Sequence, residues 1–195
     1  QIEDVITRTM NLFKFYSTEV ARHSAHPNLL KIKTQILLLY ESFFKQHPDS
    51  EIVPELVDML LTDYSESPPA FRFHLIIDCF TAMIDKLGPN SQAYIVNIVM
   101  KIIVPTFSMI NDSYENFPEI RISLFQLLNS IMTKVFFMIQ SFDIDIFTSI
   151  IDCLLFGIKN PKFEISSRAL NCLSGLLNDI DGNIEENFRN AFYNS

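Results

Sequence analysis

"NDSYENFPEIR", residues 111–121, repeats the punctuation of "TDYSESPPAFR", residues 62–72. Asp63 precedes Arg72 by nine positions, and Asp112 precedes Arg121 by nine. Pro69 and Pro118 each stand three residues before their arginine, and the two copies lie 49 residues apart. Proline is tolerated in the first turn of a helix, where its missing N–H costs nothing, so each copy reads as the start of a helix after a polar break. A spacing of about 40–50 residues is that of repeats made of two helices. The stretch is therefore the corner between the two helices of one repeat.

Working outward, apolar residues recur at helical spacing along the whole chain. The first helix runs from near Gln1 to Arg22, burying Ile2, Val5, Ile6, Phe13, Tyr16 and Val20. Asn28 is the expected cap of the second, which carries Ile32, Ile36, Leu39, Tyr40 and Phe43. Ser50 should cap the third, Glu51 to Tyr64, and the fourth is expected from Pro69 to Leu87, closed by Gly88 and Pro89. The fifth spans Ser91 to Ile110, with a kink at Pro105. The sixth runs from Pro118 to near Met138, the seventh from the Asp143 cap to Lys159, and the eighth from Pro161 to Asp181. A ninth, 184–195, starts at Ile184 and breaks off within its pattern. The pairs give repeats at about 1–46, 51–87, 91–138 and 143–181. The fold class is all-α: an α-α superhelix of the HEAT or armadillo kind with about four helix pairs, in which stacked units share one core.

In that frame the corners are expected to pair Asp63 with Arg72 and Asp112 with Arg121. A cation in the first turn of a helix is disfavoured by the helix dipole unless an acid compensates it. The next corner, "KNPKFEISSR", keeps Arg168 but has Asn160 for the aspartate. The alternative is that these arginines face a partner.

Composition bounds the rest. The chain has 195 residues, 48% hydrophobic and 19% charged, with four glycines and a net charge of -8. That much apolar surface offsets ordering entropy, and so little glycine disfavours a turn-rich β fold. The acidic balance and the lack of any lysine/arginine run argue against nucleic acid as the partner. Cys79, Cys153 and Cys172 each lie in an apolar periodic segment and read as buried free thiols. No CxxC occurs, and the His23–His26 pair has no further ligand nearby, so no metal or cofactor is expected. His74 reads as a packing residue, and Asp143 with Asp145 as helix-start acids rather than a catalytic dyad. No phosphate loop and no GxSxG occur, so an enzyme is not expected. Lys101 and Pro105 interrupt the longest apolar run, and no membrane span is expected. Stacking is expected to use up each helix's single apolar stripe. Both chain ends look like cuts in a longer protein.

"VPELVDMLLTDY" (53–64), "MIDKLG" (83–88) and "MINDSYENFPEIR" (109–121), followed by "FQLLNSI" and "IIDCLLFGIKN…ALNCLSGLLND", resemble the exportin of the karyopherin-β family that carries leucine-rich nuclear export signals. The resemblance runs from about Met10 to Asp181 and is to that receptor's C-terminal HEAT-repeat region. It implies a carrier that binds the GTP form of Ran together with cargo in the nucleus and releases both in the cytoplasm, passing nuclear pore proteins. It also implies that the export-signal groove, with its reactive cysteine, lies N-terminal to this stretch. None of the three cysteines here is that one. Within the resemblance, polar residues of second helices, Asp85, Asn129, Asn178 and Asp179, are the candidates for weak contacts to Ran. The rival readings are another karyopherin or generic HEAT scaffold, and a helical enzyme domain or regulator.

Overall fold

The computed structural model describes residues 2–22, 27–135 and 144–183, with side chains at 2–19, 27–135 and 146–178. Among the described residues every regular element is helical: α1 (Ile2–Arg22), α2 (Pro27–Gln46), α3 (Val53–Glu66), α4 (His74–Leu87), α5 (Gln92–Ile98), α6 (Val104–Ile110), α7 (Pro118–Lys134), α8 (Ile144–Ile158) and α9 (Phe163–Asn183). Short 3-10 turns occupy Pro69–Phe71 and Gly88–Ser91, and a π turn, Val99–Ile103, joins α5 to α6.

The helices form two layers. The second helices α2, α4, α7 and α9 pack in succession; so do α1, α3, the π turn with α6, and α8. One continuous core fills the space between them, from Ile6 and Phe13 to Cys172 and Leu176. The fold is thus an all-α, HEAT-like solenoid. α4 sits between α2 and α7 and buries Ile76, Ile77, Cys79, Phe80, Met83 and Ile84. A helix apolar on so many sides is what a central position in a stack requires.

Boundaries shift for local reasons. α2 begins at Pro27, and Ile32 is exposed while Ile36, Tyr40 and Phe43 enter the core. Ser50 does not cap α3, which starts at Val53 behind Ile52. α4 starts at His74, five residues later than expected from Pro69, because Arg72 and Phe73 are extended. Likewise α9 begins at Phe163 rather than Pro161. Pro105 does not simply kink a helix. The π turn before it lets the Val104 N–H reach the Val99 carbonyl, five residues back, so the wider turn accommodates the proline ring. Gly88 ends α4 at φ 53°, ψ -128°, a conformation open essentially to glycine alone. Asp143, His23, His26 and the ninth helix lie outside the described residues, as do the side chains of Val20, Asp145 and Asp179.

Two expectations need correction. The stretch His74–Ile110 contains an 18-residue window of mean hydropathy 1.8, apolar and long enough to cross a membrane, which Lys101 and Pro105 do not prevent. Within that window 39% is buried inside the protein, with Ile95, Ile98 and Ile102 wholly so, as in the core helix of a stack. Stacking also leaves apolar side chains outside: Val5, Leu12 and Phe15 on α1, and Phe163 and Leu170 on α9.

All three cysteines are buried free thiols. Burial pushes Cys79 well above the ordinary thiol range and Cys172 up to about 11.

At Gly157 α8 runs close against Phe125 of α7 and Ala169 of α9. A Cβ there would lie 2.2 Å and 2.4 Å from ring atoms of the buried Phe125 and 2.8 Å from the Ala169 Cβ. Gly157→Ala should therefore destabilise the protein by about 1–3 kcal/mol, the cost of overpacking. Chemical denaturation checks it, together with Gly157→Ala/Phe125→Leu. The double variant should recover part of the loss, and strict additivity would show that the ring is not what the methyl strikes.

Candidate functional site: the corners and the second-helix face

The two echoed corners share one device, but it is not an Asp–Arg pair. Arg72 donates from Nε to the Ser67 carbonyl, five residues back, at 3.2 Å. Arg121 donates from Nε to the Asn116 carbonyl, also five residues back, at 2.6 Å. Each guanidinium then reaches further. Arg72 bonds the Pro105 carbonyl of the following unit at 3.2 Å and lies over the Tyr64 ring. Arg121 bonds the Ile110 carbonyl at 3.0 Å and the Ser113 carbonyl, and lies 5.5 Å from the ring centroid of Phe156 on α8. Tyr114 stacks on the same ring at 4.6 Å. Carbonyls at a corner have lost their helical donors, so a forked cation suits them better than an acid would.

Arg121 is 1% exposed. Burial lowers its pKa, while Asp112 and Tyr114 oppose that at a distance. Asp112 makes no ion pair with Arg121 within 4.0 Å. Asp63 turns away from Arg72 and pairs with Lys33 of α2, 2.8 Å from Nζ to Oδ2, both side chains nearly buried. The Lys33 ammonium also lies over the rings of Phe13 and Phe73 at 5.0 and 4.9 Å. Sequence spacing could not find Lys33, which is 30 residues upstream. At the third corner Arg168 pairs with Glu164 on its own helix at 3.2 Å, exposed. Asn160 is buried and its Oδ1 accepts the Lys162 N–H at 2.9 Å, capping the turn locally. The first two corners are tied by arginines that bond backbone carbonyls, Arg72 half-buried and Arg121 buried, and the third is not.

The polar residues of the second helices separate into two sets. Asp85 is exposed and lines a groove of about 370 Å³ between α2, α4 and α7, shared with Glu41, Lys45, His74, Asp78, Glu119 and Gln126. His74, expected to pack, thus faces a charged groove. Asn129 is half-buried, and its Oδ1 accepts the Cys172 thiol at 3.7 Å, so it is partly committed inside the stack. Asn178 is exposed on α9.

Asp78 is the perturbed group of this groove. Burial raises its pKa; a hydrogen bond from Ser123 and the charge of His74 oppose this, Glu41 adds to it, and Lys45 opposes it. A carboxyl whose folded pKa is raised holds its proton more tightly folded than unfolded, so stability is lost as pH rises from 3.8 through the folded value. Asp78→Asn removes that loss and should raise Tm at neutral pH, by less as the solution is acidified toward pH 4. Melting curves of both proteins from pH 4 to 8 test this. A Tm difference independent of pH would assign the effect to packing instead.

Among the described residues no group of three or more His, Cys, Asp or Glu is placed to hold a metal ion. The site is a polar surface on the second-helix layer of the stack.

Residues 1–195 match the family model described as CRM1 C terminal. The chain is 24% identical to Exportin-1 of Dictyostelium discoideum over 94% of its length and 18% of that protein's. It is 24% identical to Protein EXPORTIN 1B of Arabidopsis thaliana over 99% of its length and 19% of the relative's. Against Exportin-1 of Schizosaccharomyces pombe it is 25% identical over 89% of its length and 17% of the relative's. The chain thus spans less than a fifth of the length of these curated relatives.

Proposed function

Because the chain belongs to the CRM1 C-terminal family, we propose that it works as helical scaffold in a nuclear export receptor, one that carries leucine-rich-signal cargo from nucleus to cytoplasm in a Ran-GTP-dependent cycle. The whole-chain family match is the observation that carries this reading. The two-layer stack supports it, since a repeat solenoid presents a long surface to large partners. On this reading Asp85 and Asn178, exposed on second helices, make polar contacts that tune affinity and orientation without creating them. Asn129 takes a lesser part because Cys172 already uses its side-chain oxygen. Repeats 1–46, 51–87, 91–138 and 143–181 act as the structural units, and no export-signal groove lies within them.

The test is a pull-down of the intact protein with Ran locked in its GTP state and a leucine-rich cargo. Retention that requires GTP and cargo is the expected result; retention indifferent to nucleotide rejects the reading. A labelled export peptide should show no saturable micromolar binding to the 195-residue chain. Such binding would place the groove inside these repeats.

A further inference from the structure

The geometry points to a second docking surface, on the opposite layer: a cleft between α1 and α3 that takes a short basic amphipathic segment of a protein partner. The two layers are not packed alike. α2 and α4 meet along much of their length, whereas α1 and α3 touch over a short stretch. The difference leaves a cleft of about 360 Å³. Its composition is specific. Glu55, Met59, Thr62 and Glu66 follow one another at spacings of four, three and four residues, with Asp58 beside Met59, so α3 turns one continuous stripe toward the opening. Across from them α1 contributes Phe13 and Lys14.

Floor and rim ask for different things. Met59, backed by the buried Phe13, forms the apolar floor, which offers a contact for one aliphatic side chain; a thioether adapts to varied shapes. Glu55, Asp58 and Glu66 are exposed carboxylates at the rim. Asp63 also lines the cleft, but Lys33 already neutralises it. Three uncommitted acids against the single cation Lys14 leave the cleft negative, and the complementary occupant carries lysine or arginine beside its apolar anchor. The net charge of -8 disfavours nucleic acid and a second copy of this chain alike. This surface is independent of the groove holding Asp85, and its test stands apart from the export reading.

A fluorescein-labelled helical peptide with leucines at i, i+4 and i+7 and lysines between them is the probe, read by fluorescence polarisation at physiological salt. The 195-residue chain should bind it saturably. Glu55→Gln/Asp58→Asn/Glu66→Gln should weaken binding about tenfold, or ~1.4 kcal/mol. Glu41→Gln/Asp85→Asn/Glu119→Gln removes the same charge from the other layer and should leave affinity nearly unchanged. The substitutions of the first set are all at exposed positions, and circular dichroism confirms that both triples remain folded. Lack of saturable binding overturns the proposal. So does an equal loss in the two triples, which reports bulk charge alone, or equal binding of a peptide with glutamate in place of lysine.

Discussion

Arg121→Met is expected to cost about 3–5 kcal/mol of folding stability, the range for stripping a buried charged hydrogen-bonding group of its role. The reason lies in what the guanidinium serves. It donates to the carbonyls of Ile110, Ser113 and Asn116, and the bond to the buried Ile110 carbonyl is the one water is worst placed to replace once the side chain is apolar. Swapping a buried ion pair for apolar residues is often neutral because both partners are replaced; backbone carbonyls cannot be replaced. Nη1 has no protein partner, so the loss comes from the other nitrogens. Arg121→Lys should fall between, since a single ammonium centre does not reproduce the two separated nitrogens, Nε and Nη2, that serve the three carbonyls. Arg168→Met, at an exposed pair, should stay within about 0.5 kcal/mol. Urea unfolding of the three variants measures the order. Equal midpoints for Arg121→Met and Arg168→Met would mean that the corner carbonyls are satisfied in some other way.

Asp63→Asn should be comparably severe, at about 3–5 kcal/mol, because it strands the Lys33 ammonium in the core. The two aromatic rings beside it do not replace a carboxylate at 2.8 Å. Lys33→Met/Asp63→Asn should recover most of the loss, giving a large coupling in a double-mutant cycle. The deficit also has a sign with pH. Burial lowers the Lys33 pKa from 10.5, and Asp63 works against that by charge and hydrogen bond. A base whose folded pKa is lowered is less protonated folded than unfolded, so stability rises with pH across the window below 10.5. Removing Asp63 lowers the folded value further and widens the window. The Asp63→Asn deficit should therefore shrink as pH rises toward 10.5. A deficit constant with pH would show that Lys33 is not charged at that site.

The helical frame was legible because each level agreed. Apolar periodicity marked the helices, Gly88 and Pro118 marked an end and a start, and the spacing of the corners gave the repeat. Errors arose where tertiary structure chose between local options. Asp63 and Arg72 have compatible charges nine residues apart, yet each found a better partner from another unit: Lys33 from α2 and the carbonyl of Pro105. Nothing in a one-dimensional pattern weighs those distances. Ile32 has the right periodicity for burial and lies at the surface. The π turn was half-legible: Pro105 announced a disturbance, but not that the preceding turn would widen to absorb it. The close approach at Gly157 gave no signal, since a glycine inside a helix looks the same whether crowded or free. Of the second-helix face, helical spacing put Asp85 off the apolar stripe, and it is exposed. The charged company around Asp78 required the packing of α4 between α2 and α7.

The five-residue bond from each corner arginine has a consequence for insertions and deletions. Ser67 to Arg72 and Asn116 to Arg121 are closed loops, measured by the reach of one side chain. A single residue added inside either loop lengthens the chain by up to 3.8 Å, more than a hydrogen bond can absorb. It would also carry the guanidinium away from the neighbouring unit that it touches. These two corners are therefore fixed in length, while the third, whose arginine answers only to its own helix, is free to grow or shrink. Length variation in this part of the chain should collect after Lys159, at the joint that no arginine measures across its corner.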